Sequence, residues 1–366
     1  VGVSSQKSQI ETAVAPGKII LFGEHAVVYG RPAIAAPVSQ VRAEATVERS
    51  ETSGLEIEAA DLSRRYDLYD APADDPIAAI IRLTCARLGV APQGLRVRVS
   101  STIPMAGGLG SGAAVSVAIA RALGRYFATE DTEPALSGVE GNTEKTKENS
   151  APPVSSVVEL SNQDISVPPV SSVAELSNQD ISALAYEVEK LHHGTPSGID
   201  NTVIAFERPV YFVKGQPIEF CRVAQPFALA IADTGIAAPT KSVVGDVRRA
   251  WEAAPQKYEE LFDRVGMIAQ MGRTAIEQGM LGALGTLMKM NQTCLRELQV
   301  SSPEIERLVE AATAAGAWGA KVSGAGRGGN VIALVDKVTQ DKVSRAMLGA
   351  GAQRVIVTEI KDPAGA

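Results

Sequence analysis

Apolar residues recur along the chain with two different periods. From Val38 to Val47 apolar and polar positions alternate, the signature of a strand with one buried face. Leu95 to Val99 is a further strand, and Ala15 to Phe22 (APGKIILF) reads as one that opens on a Pro-Gly turn. Pro76 to Leu88 instead repeats apolar residues at helical spacing, with Asp75 placed to cap it and Pro76 in its first turn. Gly112 to Phe127 predicts an apolar helix entered from a glycine-rich turn, and Ala183 to Leu191 another helix. Phe227 to Ala232 is strand-like, and Lys241 to Gly316 is mainly helical in several segments. The remainder reads strand, strand, helix, strand, at Ala320 to Val322, Val331 to Val335, Lys337 to Met347 and Arg354 to Val357. Strands interleaved with helices throughout place the chain in the α/β or α+β class.

One stretch breaks this pattern. Thr129 to about Ser172 is rich in Glu, Ser, Thr, Pro and Asn and poor in bulky apolar residues. Within it, Pro152 to Ser166 (PPVSSVVELSNQDIS) recurs as Pro168 to Ser182, with Val158 replaced by Ala174. A solenoid needs about three or more units, so one duplication does not make one. The composition buries too little apolar area to offset chain entropy, which predicts a disordered insertion. A regulatory or partner-docking role stays open. The second copy runs into the helix at Ala183 and can supply its lead-in.

The length, 366 residues, suggests two domains at roughly 150 residues each. Lys plus Arg is 35 and Asp plus Glu 42, a formal charge of −7, with 4% aromatics. Such a chain lacks both the basic footprint and the stacking residues of a nucleic-acid binder. No apolar run approaches the roughly 18 residues of a membrane span. The polar stretch from Val1 to Thr12 lacks the apolar run of a signal peptide. Cys85, Cys221 and Cys294 are too few and too widely spaced for a disulfide framework or a metal cage. His25, His192 and His193 are the only histidines, which excludes a histidine-rich metal site. These features predict a soluble, cytoplasmic, two-domain protein.

The chemistry concentrates near glycines. Pro104 to Ala114 (PMAGGLGSGAA) joins a strand to a helix, where inward-turned N–H groups and the helix N-terminus suit a phosphate. It is neither a Walker A loop nor a dinucleotide fingerprint, and a purely structural turn is the competing reading. Gly324 to Gly329 (GAGRGG) matches G-x-G-x-x-G, but a strand-like VIALV follows where a dinucleotide fold needs a helix. A tight turn between strands, lying against the first loop, is the plainer interpretation. Lys18 sits in an apolar strand, where an unpaired ammonium is costly, and Glu24 and His25 follow it. That cluster is either a site or a buried ion pair. Glu189 and Asp200 frame a Pro/Gly turn, an arrangement able to hold Mg²⁺ and orient an acceptor hydroxyl.

Taken in order, these pieces resemble the GHMP small-molecule kinases, most closely the mevalonate kinases. Lys18-Ile-Ile-Leu-Phe-Gly-Glu24-His25-Ala-Val-Val-Tyr-Gly-Arg-Pro-Ala is similar to that family's first motif, and Pro104 to Ala114 to its phosphate loop. His193-Gly-Thr-Pro-Ser197-Gly-Ile-Asp200-Asn resembles the acidic motif, and Ser323 to Gly329 the third. The resemblance implies an α+β, two-domain GHMP kinase fold. Residues 8–222 would form a domain like the second domain of ribosomal protein S5, and residues 223–363 a ferredoxin-like domain, with the boundary near Phe220 to Gln225.

It also implies an ATP-dependent kinase that phosphorylates the 5-hydroxyl of mevalonate, early in isoprenoid synthesis. ATP phosphates would lie along Pro104, Gly107, Gly108, Leu109, Gly110, Ser111, Gly112 and Ala113, with Gly324, Ala325 and Gly326 nearby. Mg²⁺ would be held by Glu189 and Ser111. Asp200 would accept or orient the hydroxyl proton, and Lys18 would stabilise the developing alkoxide. Glu24, His25 and Thr240 would position the acceptor, and Lys241 would offer a charge to its carboxylate. The partners implied are ATP and mevalonate, with no nucleic acid or membrane, and a homodimer is left open. Two residues depart from the family pattern. Gly112 stands where a second serine is usual, and Arg327 interrupts a glycine-alanine run, from where it either reaches a phosphate or points into solvent.

Overall fold

The computed structural model describes residues 9–104, 107–130, 176–193, 196–237 and 240–362. In chain order the strands and α-helices are β1 (Ile10–Phe22), β2 (Ala33–Arg49), β3 (Leu55–Ala59), β4 (Arg64–Asp67), α1 (Pro76–Leu88), β5 (Leu95–Ser101) and α2 (Ser111–Glu130). There follow α3 (Asn178–His193), α4 (Ile199–Phe206), β6 (Val210–Phe212) and β7 (Glu219–Phe220). The rest comprises β8 (Phe227–Asp233), α5 (Thr240–Ala253), α6 (Pro255–Glu277), α7 (Leu281–Glu297), α8 (Pro303–Ala314), β9 (Gly319–Ser323), β10 (Asn330–Val335), α9 (Gln340–Gly349) and β11 (Arg354–Ile360).

Two sheets organise these elements. The first has strand order β4-β3-β5-β2-β6-β7, with β1 paired antiparallel along the length of β2. β2 is long enough to share its other edge between β5, through Ala43–Arg49, and β6, through Ala33–Ala35. The helix α2 lies across β1 and β2, and α1, α3 and α4 pack around it. This is the apolar helix the sequence predicts, and its buried face includes Ala114, Val117, Ala118 and Leu123. The second sheet is antiparallel throughout, in the order β11-β8-β10-β9. Its chain order, strand-helices-strand-strand-helix-strand, is that of the ferredoxin-like split βαβ arrangement. The chain leaves the first sheet after Phe220 and enters the second at Phe227. β1 touches β9, and β2 touches β11, so the sheets meet along the β1–β2 pair, of which β1 carries Lys18. The architecture is α+β.

Local signals explain several boundaries. Asp75 Oδ1 accepts from Ile77 N at 3.0 Å and Ala78 N at 2.9 Å, with Pro76 at the first position and Gly89 left-handed at the end. α3 begins earlier than its apolar periodicity predicts. Ser177 Oγ accepts from Asp180 N at 3.1 Å, while Asp180 Oδ2 accepts from Ser177 N at 3.2 Å. This reciprocal capping box starts the helix inside the second copy of the repeat, in Ser177-Asn-Gln-Asp180. The reading of 129–172 as an insertion falls mostly outside the described residues.

The first copy carries the same Ser161-Asn-Gln-Asp164, so removing either copy leaves one intact helix start. A chain lacking Pro152 to Val167 is therefore expected to keep its thermal midpoint and near-parental ADP release. Loss of activity with folding intact would show that the repeat is more than a spacer.

Candidate active site

The site is assembled on β1. At Gly17 the pairing of β1 with β2 shifts register, and a Cβ there would meet Val41 Cγ2 at 2.9 Å and the Leu109 oxygen at 3.2 Å. The bare backbone lets the 107–110 loop dock, and Lys18 N donates to Leu109 O at 2.9 Å. Gly110, at φ 75°, closes over the lysine stem, where a Cβ would lie 2.9 Å from Lys18 Cγ. Ser111 then opens α2, whose N-terminal N–H groups carry positive partial charge. Gly108 lines the cavity described below, while Leu109 and Ala113 are buried behind it. Pro104 and Gly107 form the preceding turn, with Gly107 N donating to Pro104 O at 3.4 Å.

Lys18 is 4% exposed, and a buried ammonium requires a counter-charge. Asp200 provides it, with Lys18 Nζ and Asp200 Oδ2 3.0 Å apart. The sequence places Asp200 just after a Pro/Gly turn, and there it stands in the first turn of α4, after Gly198 at φ 90°. A carboxylate is favoured there by the helix dipole. Glu189, on α3, completes the group. Burial pushes its carboxyl up to about 7, the negative charge of Asp200 adds to the shift, and Lys18 opposes it. Two carboxylates against one ammonium leave a net negative charge when both are ionised. Gly112 faces this group, since a Cβ on it would sit 3.4 Å from Glu189 Oε1, an ordinary contact distance.

The opposite wall comes from Gly23-Glu24-His25 and the turn between β9 and β10. His25 is buried at φ 61°, and its Nε2 donates to Ala325 O at 2.9 Å. Burial, with a smaller contribution from the charge of Arg327, lowers the imidazole to about 4 despite that bond. The ring is neutral at pH 7, with Nδ1 as an acceptor. Gly324 and Ala325 line the same wall, and Gly326 packs its backbone against the Val300 carbonyl. As the strand-like segment after it predicts, this loop is a turn between antiparallel strands that lies on the phosphate loop. Asn330 Nδ2 donates to Gly107 O.

Together these walls enclose a cavity of about 560 Å³. Lys18, Glu189, Asp200, His25, Gly108 and Ala325 line it, and α5 adds Thr240, Lys241, Arg248 and Arg249. Two expectations change. Glu24 borders the cavity, but its carboxylate pairs with Lys321 and accepts from Asn291 Nδ2 at 3.0 Å, so it braces the wall instead of presenting a ligand. Arg327 reaches neither phosphate loop nor solvent alone. Its guanidinium pairs with Asp246 on α5 and donates to Gln299 O at 3.1 Å. Sequence reasoning missed Lys321, Asn291, Asn330 and Arg248, and gave Ser323 no role beyond opening the third motif. The one available signal was a lysine in the apolar run Ala320 to Val322.

Comparison with known proteins bears directly on this arrangement. The GHMP kinases N-terminal domain model matches residues 76–150, and the GHMP kinases C-terminal model residues 273–353. A curated mevalonate kinase of Thermococcus gammatolerans is 32% identical over 371 aligned positions, covering 95% of each chain. The chain belongs to the GHMP kinases.

A Thermococcus sibiricus mevalonate kinase is 30% identical, covering 94% of each chain. The crystal structure of L. major mevalonate kinase in complex with R-mevalonate superposes with a TM-score of 0.75, at 25% identity and 100% coverage of both chains. As a GHMP kinase the chain is an ATP-dependent phosphotransferase with the two-domain α+β fold of that family. Among the described residues, no helix is long and apolar enough to cross a membrane.

The buried histidine of this GHMP kinase makes its stability depend on pH. The folded imidazole titrates near 4 and the ordinary value is 6.5, so between these values the unfolded chain binds the proton preferentially. The contribution is complete above the unfolded value and is lost as pH falls through the folded one. Acidification from about pH 7 to pH 5 should remove on the order of 2 kcal/mol, read from urea midpoints. His25→Gln should flatten this part of the profile. Unchanged acid sensitivity in that variant would show that His25 is not the group responsible.

Proposed function

We propose that the cavity binds MgATP and mevalonate and transfers the γ-phosphoryl group to the 5-hydroxyl, giving 5-phosphomevalonate and ADP. The observation that carries this reading is the Lys18–Asp200 pair, 3.0 Å apart on the wall of a cavity that Gly108 also lines. Phosphoryl transfer depends mainly on alignment and charge neutralisation. The loop Gly107 to Ala113 cradles the ATP phosphates with backbone N–H groups and the α2 N-terminus. Gly324, Ala325 and Gly326 close over them. Asp200 accepts the proton of the 5-hydroxyl, and Lys18 stabilises the alkoxide that forms. His25 offers Nδ1 to a substrate hydroxyl, while Thr240 and Lys241 approach from α5.

Glu189 and Ser111 supply hard oxygen donors suited to Mg²⁺, which usually takes one or two carboxylates, substrate phosphates and retained waters. Among the described residues there is no cluster of three or more His, Cys, Asp and Glu able to form an all-protein cage. The raised titration of Glu189 fits a carboxylate that gains stability when a cation arrives. Bound there, the cation would neutralise phosphate charge. We also propose residues 8–222 and 223–363 as the two domains, and a cytoplasmic site of action, since Cys85, Cys221 and Cys294 are free and buried.

The test is ADP release with Mg-ATP against mevalonate, phosphomevalonate, galactose and homoserine. Turnover on mevalonate is expected, and turnover only on another acceptor would move the function to a sibling kinase. Asp200→Asn should lower kcat by about 10²- to 10⁴-fold while ATP still binds. An active Asp200→Asn enzyme would remove Asp200 from proton transfer.

A further inference from the structure

The contacts that join the two sheets include a charged group unused by phosphate binding or proton transfer. Lys321 lies in β9 with none of its side chain exposed, and Glu24 is equally buried. The ammonium pairs with Glu24 Oε1, and Asn291 Nδ2, from α7, donates to Oε2 at 3.0 Å. Lys321 and Ser323 stand two residues apart, on one face of the strand. On that face Ser323 Oγ accepts from Ile20 N at 3.1 Å and donates to Ile20 O at 2.9 Å. Both side chains are therefore aimed at the end of β1, from which Gly23-Glu24-His25 departs.

A buried ion pair adds little net stability over a well-packed apolar pair, although removing one partner strands a charge. Stability alone is a weak reason for it. A geometric reason is at hand. His25, next to Glu24, is held at φ 61°, a conformation that non-glycine residues seldom take and that surrounding contacts must enforce. Two contacts bracket this turn, Glu24 on Lys321 and Asn291, and His25 Nε2 on Ala325 O. The first is charged and directional.

We propose that Lys321 is a positioning residue: through Glu24 it fixes the strained positive-φ turn at His25 and so sets the imidazole on the wall that receives the hydroxy-acid acceptor. The inference rests on the reading of the cavity as a mevalonate site. It assigns Glu24 and Lys321 to acceptor binding without contact between either side chain and substrate.

The experiment compares the parent enzyme with Lys321→Met, Glu24→Gln and the double variant Glu24→Gln/Lys321→Met. Urea midpoints, ATP Kd by calorimetry, and KM and kcat for mevalonate are measured for each. Lys321→Met should be strongly destabilised, and the double variant, which removes both charges at similar volume, should recover most of the midpoint. In the recovered protein, KM for mevalonate is expected to stay raised by about tenfold or more, with ATP Kd within about twofold of the parent. A stable double variant with parental KM would overturn the proposal and leave the pair a folding role alone. If the double variant does not fold, Glu24→Gln decides, because it keeps size and loses the ion pair. Its KM should rise while ATP Kd holds, and a parental KM overturns the proposal. A parent that ignores mevalonate fails the functional reading instead. The same KM comparison is then made on the acceptor it does phosphorylate.

Discussion

The active site is built around the need to neutralise one ammonium. Lys18 is 4% exposed, in a strand whose neighbours Ile19 and Ile20 are core residues. An unpaired charge there would be prohibitive, so a carboxylate must be brought within contact distance. This requirement explains the short helix α4, which begins at Gly198 and presents Asp200 from its first turn. It also explains Gly110, since any side chain there would collide with the lysine stem. Glu189 adds a second carboxylate beside this pair. Burial and repulsion then push Glu189 toward neutrality until a further positive charge is supplied.

A second constraint is the junction between the sheets. Ser323 binds both backbone groups of Ile20, Glu24 meets Lys321, His25 meets Ala325, and Arg31 Nε donates to Asp263 Oδ1 at 2.9 Å. Three of these contacts start from β1 or the turn just after it, and Arg31 from the loop that leads into β2. The strand that carries Lys18 is thus part of the β1–β2 pair against which the second sheet packs. Alignment of reacting groups needs such a fixed reference, because small displacements greatly reduce the rate.

The two departures from the family pattern have different physical meanings. Gly112 leaves open space beside Glu189, and a Cβ would fit there at 3.4 Å without displacing anything. Arg327 is built into its surroundings. It takes φ 58°, its N donates to Val300 O at 2.7 Å, and its guanidinium ties the third glycine turn to Asp246 of α5. It holds a loop to a helix and does not crowd the phosphate site.

Much of the scaffold was legible in the chain because its causes are local. Asp75-Pro76 caps and starts α1, alternation marks β2, and the turn after Ser323 joins two strands as its apolar flanks suggested. Lys18, Glu189 and Asp200 stood out because charges flanking apolar or glycine-rich segments need a reason. The short strands β6 and β7, the helical state of Asp200 and the early start of α3 were not legible. Strands of three and two residues have too little pattern of their own, and a capping box inside a polar repeat has no apolar period to announce it. The roles of Glu24 and Arg327 belonged wholly to tertiary structure. Lys321 lies 297 residues from Glu24, and Asn291 lies 267, separations at which no local pattern connects them. Local sequence determines which groups must find a partner, because burial of charge is costly wherever it occurs. Only the packing of one sheet against the other decides which partner each one finds.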